Sequence, residues 1–172
     1  MLNSQQKEKY QKLGIPINYG EQNNLPFFPE ASDLVDAGPN LVGKMQQLTL
    51  EAALNWNNLL NAASKDKISL LIVSGYRSFD YQIRLIEKKL EKGMAIQEIL
   101  MVNAPPGYSQ HHAGIAIDIA TLGMPPLTEQ FDSSDAFLWL DKYAKDFNFM
   151  MPYTKKNIYG FIYEPWHWVC NK

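Results

Sequence analysis

A single cysteine, Cys170, in 172 residues excludes an internal disulfide. Standing third from the end, it reads as incidental rather than as a metal ligand or nucleophile. Long apolar runs are also missing. Stretches such as Leu70-Leu71-Ile72-Val73 have the length of a strand, far short of the ~20 residues a membrane-spanning helix needs. There is little net charge: the formal value is −2, with sixteen basic residues spread along the chain. No concentrated positive field is expected, and nucleic acid is not an expected partner. Internal repeats and low-complexity tracts are absent. Residues 1–10 lack an apolar core and a small-residue cleavage site, so no secretory signal is expected there.

What remains is a globular composition, 46% hydrophobic and 20% charged, in a length that suits one domain with a real core. Without a long apolar surface stripe, such a domain is expected to be a monomer. Pro16, Pro26, Pro29 and Pro39 punctuate a stretch rich in Asn and Gly. Residues 1–40 are therefore expected to form an irregular wrapping segment around a core of residues 41–172.

From Met45 the apolar positions Met45, Leu48, Ala52, Trp56, Leu59 and Ala63 recur at spacings of three and four, which predicts one amphipathic helix. A buried strand is expected over 69–74, ended by Gly75. Ser78 is placed to cap a helix carrying Gln82, Leu85, Ile86 and Leu90 until Gly93 stops it, and a short helix should cover 95–102. In 114–119 three isoleucines alternate with Gly, Ala and Asp, so Asp118 faces away from the isoleucines across a floor of small residues. A helix is expected to open over 132–135 with Phe137, Leu140, Ala144 and Phe147 inward and Asn148 as its left-handed terminator. Short strands should follow over 149–151, 160–163 and 166–169. Mixed helices and strands with hairpin-length gaps favour an α+β fold: a small, mainly antiparallel sheet flanked by helices.

All three histidines lie in two separated segments, Ser109-Gln110-His111-His112-Ala113-Gly114-Ile115-Ala116-Ile117-Asp118 and Glu164-Pro165-Trp166-His167-Trp168. Two imidazoles and one carboxylate are a ligand set for catalytic zinc with one position left for water, and Glu164 is then a candidate general base. Which histidine of the pair belongs to the set is open on these grounds. Strand alternation puts His112 on the face of Asp118, whereas a turn or bulge at Ala113-Gly114 would bring His111 there instead. Pro165 holds Glu164 extended and breaks the ladder before His167.

Ser74-Gly75-Tyr76-Arg77-Ser78 with Gln82, joined to Ser-x-His-x-x-Gly-x-Ala-x-Asp and Glu-Pro-Trp-His-Trp, resembles the VanY-like zinc D,D- and L,D-carboxypeptidases of the bacterial cell wall. These have the hedgehog/DD-peptidase-like fold. The resemblance spans about residues 70–168 and implies His111, Asp118 and His167 as zinc ligands and Glu164 as catalytic base. It implies that Arg77 steadies the substrate carbonyl or carboxylate, that Ser109 and Gln82 help bind the terminal carboxylate, and that Tyr76 and Trp166 line the substrate site. Departures lie nearby: Phe147-Asn148-Phe149, Met151-Pro152-Tyr153, Val169 and Gln110 replace other residues common in the family, which bears on substrate preference.

The implied reaction is hydrolysis of a terminal D-alanine from a peptidoglycan stem peptide or muropeptide. D-Ala-D-Ala dipeptidase, cross-link endopeptidase and a non-catalytic zinc-containing peptide-binding module are the alternatives. Such a substrate implies the periplasm or cell envelope, in tension with the missing export signal.

Overall fold

The computed structural model describes residues 1–171. The chain opens with α1 (Ser4–Lys12) and the single turn α2 (Tyr19–Gln22), then forms a hairpin of β1 (Leu34–Pro39) and β2 (Met45–Thr49) that runs directly into α3 (Leu50–Lys65). Next come β3 (Leu71–Ser74), α4 (Phe79–Glu91), α5 (Ile96–Val102) and β4 (Ala116–Ala120). The helix α6 (Asp135–Tyr143) and the strands β5 (Phe149–Met150) and β6 (His167–Cys170) complete the fold. The main sheet has the order β3-β4-β6-β5 with every neighbouring pair antiparallel, so the fold is α+β with small antiparallel sheets flanked by helices. Among the described residues no helix is long and apolar enough to cross a membrane.

Two apolar clusters organise the molecule. One joins the main sheet to α3 and α6 through Trp56, Leu59, Ile117, Ile119, Leu140 and Trp168. The other joins α1, α4 and α5 through Tyr10, Ile83, Ile86 and Ile99. Burial of each such aliphatic side chain stabilises the fold by roughly 1.5–3 kcal/mol. The cleft described below lies between the sheet of the first cluster and α4 and α5 of the second.

Three expectations need correction. Residues 45–49 are not the first turns of a helix but β2, in which Gln46 and Leu48 are buried while Met45 and Gln47 are exposed. Met45 and Leu48 also satisfy helical spacing, so the helix pattern of α3 extends by coincidence into the strand. Residues 1–40 are not irregular throughout, because α1 has a reciprocal capping box between Asn3 and Gln6 and β1 pairs with β2. Residues 160–163 form no strand. Ile162 N–H donates to Met101 O, which ties this segment to the end of α5, and Phe161 O accepts locally from the Asn157 side chain.

Elsewhere local chemistry sets the boundaries as the sequence indicates. Ser78 Oγ accepts from Tyr81 N at 3.1 Å and starts α4; Asn148, at φ 62°, ends the helical turn after α6 in the left-handed region. Gly75 has a close-approach role: a Cβ there would lie 2.7 Å from Gln47 O, so only glycine lets the end of β3 meet β2.

Candidate active site

Strand register assembles the centre of the site. Asp118 in β4 sits opposite Ser74 of β3 on one side and His167 of β6 on the other. Directly opposed residues on adjacent antiparallel strands hold their side chains on the same face, so Asp118 and His167 project together. The preceding segment does not continue as a strand. Residues Gln110–Ala113 form a 3-10 turn closed by Gly114 at φ 64°, and a Cβ on Gly114 would come within 2.9 Å of Leu34 Cδ2. This turn breaks the alternation and delivers His111, not His112, to Asp118.

His111, Asp118 and His167 are all buried, and one ligand atom from each lies within 4.8 Å of the other two. His111 Nε2 is 3.3 Å and His167 Nδ1 is 3.0 Å from Asp118 Oδ1. The far nitrogen of each ring faces an acceptor: His111 Nδ1 is 2.7 Å from Gly75 O, and His167 Nε2 is 2.9 Å from Gln110 Oε1. With those two nitrogens donating, the remaining lone pairs converge on a carboxylate oxygen, an arrangement that is repulsive without a cation between them. Burial, then Arg77, pushes His111 down to about 4, so its lone pair is free at neutral pH. Burial alone would raise the Asp118 carboxyl, but positive charge beside it, that of His111 when protonated and that of Arg77, holds it well below its usual range. The donor set therefore fits a divalent metal of zinc type.

Arg77 is fixed from several directions. Its guanidinium pairs with Asp118 Oδ2, leaving Oδ1 toward the imidazoles, and its Nε donates to Ser74 Oγ at 2.8 Å. Its backbone N–H donates to His111 O, and its carbonyl accepts from His112 Nδ1 at 2.7 Å. His112 is thus a buried brace, stacked on Phe79, rather than a member of the metal set.

A cleft of about 310 Å³ opens onto these groups, lined also by Glu164, Ser109, Gln82 and Trp166. Among the described residues, the Glu164 carboxylate accepts no hydrogen bond; burial, then Asp118, pushes it up to about 8, while Arg77 and Lys89 pull it back. Gln82 Nε2 donates to Ala104 O at 2.9 Å, and its buried Oε1 has no partner. That oxygen can only accept, so it suits a ligand N–H better than a carboxylate. Tyr76, expected at the substrate site, lies outside this cleft. Glu30 of the wrapping segment captures its hydroxyl at 3.2 Å and also accepts from Phe79 N, a contact that local sequence does not announce.

Sequence reasoning missed Tyr153, Lys89 and Asn103, which also line the cleft. Tyr153 stacks on His167 with ring centroids 4.7 Å apart, and burial, then Glu164, raises its hydroxyl. Its signal was the Met151-Pro152-Tyr153 departure from the family pattern. Lys89 could have been found seven residues after Gln82, two turns along the same face of α4.

Gln110 fixes the tautomer of His167 through a bond to an uncharged amide. Gln110→Leu is expected to weaken zinc binding by roughly 10–100-fold, read by competition with a chromophoric chelator. Unchanged affinity would show that the hydrogen bond does not orient the ring.

Comparison with known proteins follows the same lines. Residues 45–170 match the model of the VanY D-alanyl-D-alanine carboxypeptidase family. The Bacillus subtilis (strain 168) protein YodJ is 34% identical over 155 residues, covering 86% of this chain and 56% of YodJ; the chain thus spans little more than half of that relative. Among solved structures, the LdcB LD-carboxypeptidase is similar with a TM-score of 0.71 and 31% identity, covering 82% of this chain and 69% of LdcB. A vancomycin-resistance VanY D,D-pentapeptidase variant in complex with Zn(II) shares the fold, with a TM-score of 0.65 at 24% identity over 84% of this chain and 82% of its own. A family match over most of the length, carried on this fold, establishes that the chain belongs to the VanY D-alanyl-D-alanine carboxypeptidase family.

Proposed function

We propose that the chain is a zinc-dependent peptidase that hydrolyses the bond before a C-terminal D-alanine in peptidoglycan stem peptides. The observation that supports this most is the convergence of His111 Nε2, Asp118 Oδ1 and His167 Nδ1 beside the unbonded carboxylate of Glu164 in one cleft. Held by those three atoms, zinc supplies Lewis acidity toward a water and the scissile carbonyl. Glu164 accepts a proton from the attacking water as its oxygen bonds to the carbonyl carbon, and returns that proton to the amine as the C–N bond breaks. Arg77 contributes fixed positive charge beside the developing oxyanion while it anchors Asp118. Gln82 Oε1 accepts from a substrate N–H, and Ser109 and Trp166 shape the same cleft. One water is consumed and one amino acid is released. The substrate places the reaction in the cell envelope.

Incubating the zinc-loaded chain with stem tripeptide, tetrapeptide and pentapeptide, with mass spectrometry of the products, tests this reading. Loss of one D-alanine from the pentapeptide is the expected result. No D-alanine from any peptide, with metal bound, would sink it. Tetrapeptide cleavage is the second reading, favoured by the higher similarity to LdcB, an LD-carboxypeptidase, than to the VanY structure.

A further inference from the structure

The cleft does not end at Arg77. A second cavity of about 450 Å³ continues from it along β2, the end of β3 and the first turns of α4, and the two share Arg77, Lys89, Asn103 and Leu127. Lys44, Arg84 and Lys89 stand on its wall, and none of the residues lining it is Asp or Glu. Among the described residues these three cations form no ion pair. Lys89 Nζ donates to the uncharged side chain of Asn103. The Tyr81 ring gathers the other two, with Lys44 Nζ 5.9 Å and the Arg84 guanidinium carbon 6.0 Å from its centroid. Glu30, which holds Tyr76 on this wall, is already engaged by Tyr76 and Phe79, and Asp80 and Glu87 line a separate cavity on the other side of Arg84.

This is local positive charge on a chain whose formal net charge is −2. Cations that form no ion pair along a concave wall attract an anion, and adjacent apolar surface from Met45 and Tyr81 offers contact to a chain rather than to a small ion. In a carboxypeptidase that releases one residue, only the part of the substrate before the scissile bond extends past the metal. Continuity with the catalytic cleft thus specifies what reaches the groove.

We propose that the second cavity is the binding groove for the upstream part of the peptide substrate and that Lys44, Arg84 and Lys89 select peptides carrying free side-chain carboxylates there. This rests on the peptidase reading above. It separates that reading from action on the bare dipeptide, which leaves the groove empty.

The test compares two peptides that end in D-Ala-D-Ala and differ only in whether the upstream carboxylates are free or amidated. For the zinc-loaded wild type, kcat/KM for the free-acid peptide should exceed that for the amidated one about ten-fold, from two or three partly exposed charge contacts. The preference should shrink as ionic strength rises, since salt screens such contacts. Lys44→Gln/Arg84→Gln should bring the ratio to about one, and Lys44→Glu/Arg84→Glu should invert it. Both residues are exposed, and thermal melts report whether the variants stay folded.

Calorimetry on the Glu164→Gln protein repeats the comparison as binding without turnover. If neither peptide is hydrolysed but the binding preference is present and charge-dependent, the groove stands and the peptidase reading falls. Turnover with equal kcat/KM for both peptides overturns the groove. So does calorimetric binding of a poly(glycerol phosphate) chain that depends on Lys44 and Arg84 while the peptides are not distinguished, since the groove would then serve a wall polymer.

Discussion

Glu164→Ala is expected to lower kcat on a D-alanyl-terminated peptide by about a thousand-fold, within the ~10²–10⁴ range of a positioned acid–base group. Zinc content should not change. Glu164 is not among the atoms that converge on the metal position, and its carboxylate has no partner among the described residues whose loss would disturb the ligands. It lines the cleft with Asp118 and His167, and burial lifts it to about 8. A carboxyl perturbed in that direction is a better proton acceptor than an exposed one, and cationic charge at the metal position would draw it back toward neutrality. Rates of D-alanine release, with atomic absorption on the dialysed variant, check both halves. Loss of zinc together with activity would make Glu164 a ligand and overturn its assignment as a base.

Removal of zinc by a chelator is expected to abolish activity and to lower the melting temperature by about 10 °C. The estimate follows from roughly 4 kcal/mol of linkage at a thousand-fold excess over Kd and ~2–4 °C per kcal/mol for a chain of this size. The histidine pair separates the metal's share from that of the fold. His111→Ala should be insensitive to chelation, because the site is already lost. His112→Ala should keep the full chelator-dependent shift from a lower starting temperature, since it removes the bond to Arg77 O and the packing on Phe79. Calorimetry of both variants with and without chelator gives the answer, and the reverse pattern would move the ligand to His112.

These two histidines also mark where reading the sequence stopped short. Alternation along β4 correctly set Asp118 apart from Ile117 and Ile119, which enter the core, but alternation by itself favoured His112. The turn that selects His111 depends on Gly114 fitting against Leu34 and Thr49, a tertiary condition with no local signature. Caps were legible wherever the side chain bonds its own backbone, as at Ser78, or the residue tolerates φ > 0, as at Asn148. The β1–β2 hairpin was not, because β2 satisfies both periodicities over its few residues. Tyr153 and Glu30 escaped for a related reason: each acts on a partner far away in sequence, His167 and Tyr76.

The family match begins at residue 45, yet the segment before it is built into the site. Tyr10, fully buried, donates its hydroxyl to Pro106 O at 2.6 Å, just ahead of the loop that carries Ser109 and His111. Ala31 N–H donates to His112 O, and Leu34 packs against Gly114. The stretch that matches the family model is therefore shorter than the cooperative unit. The stiffness of the histidine turn is set in part by residues that share no motif with it.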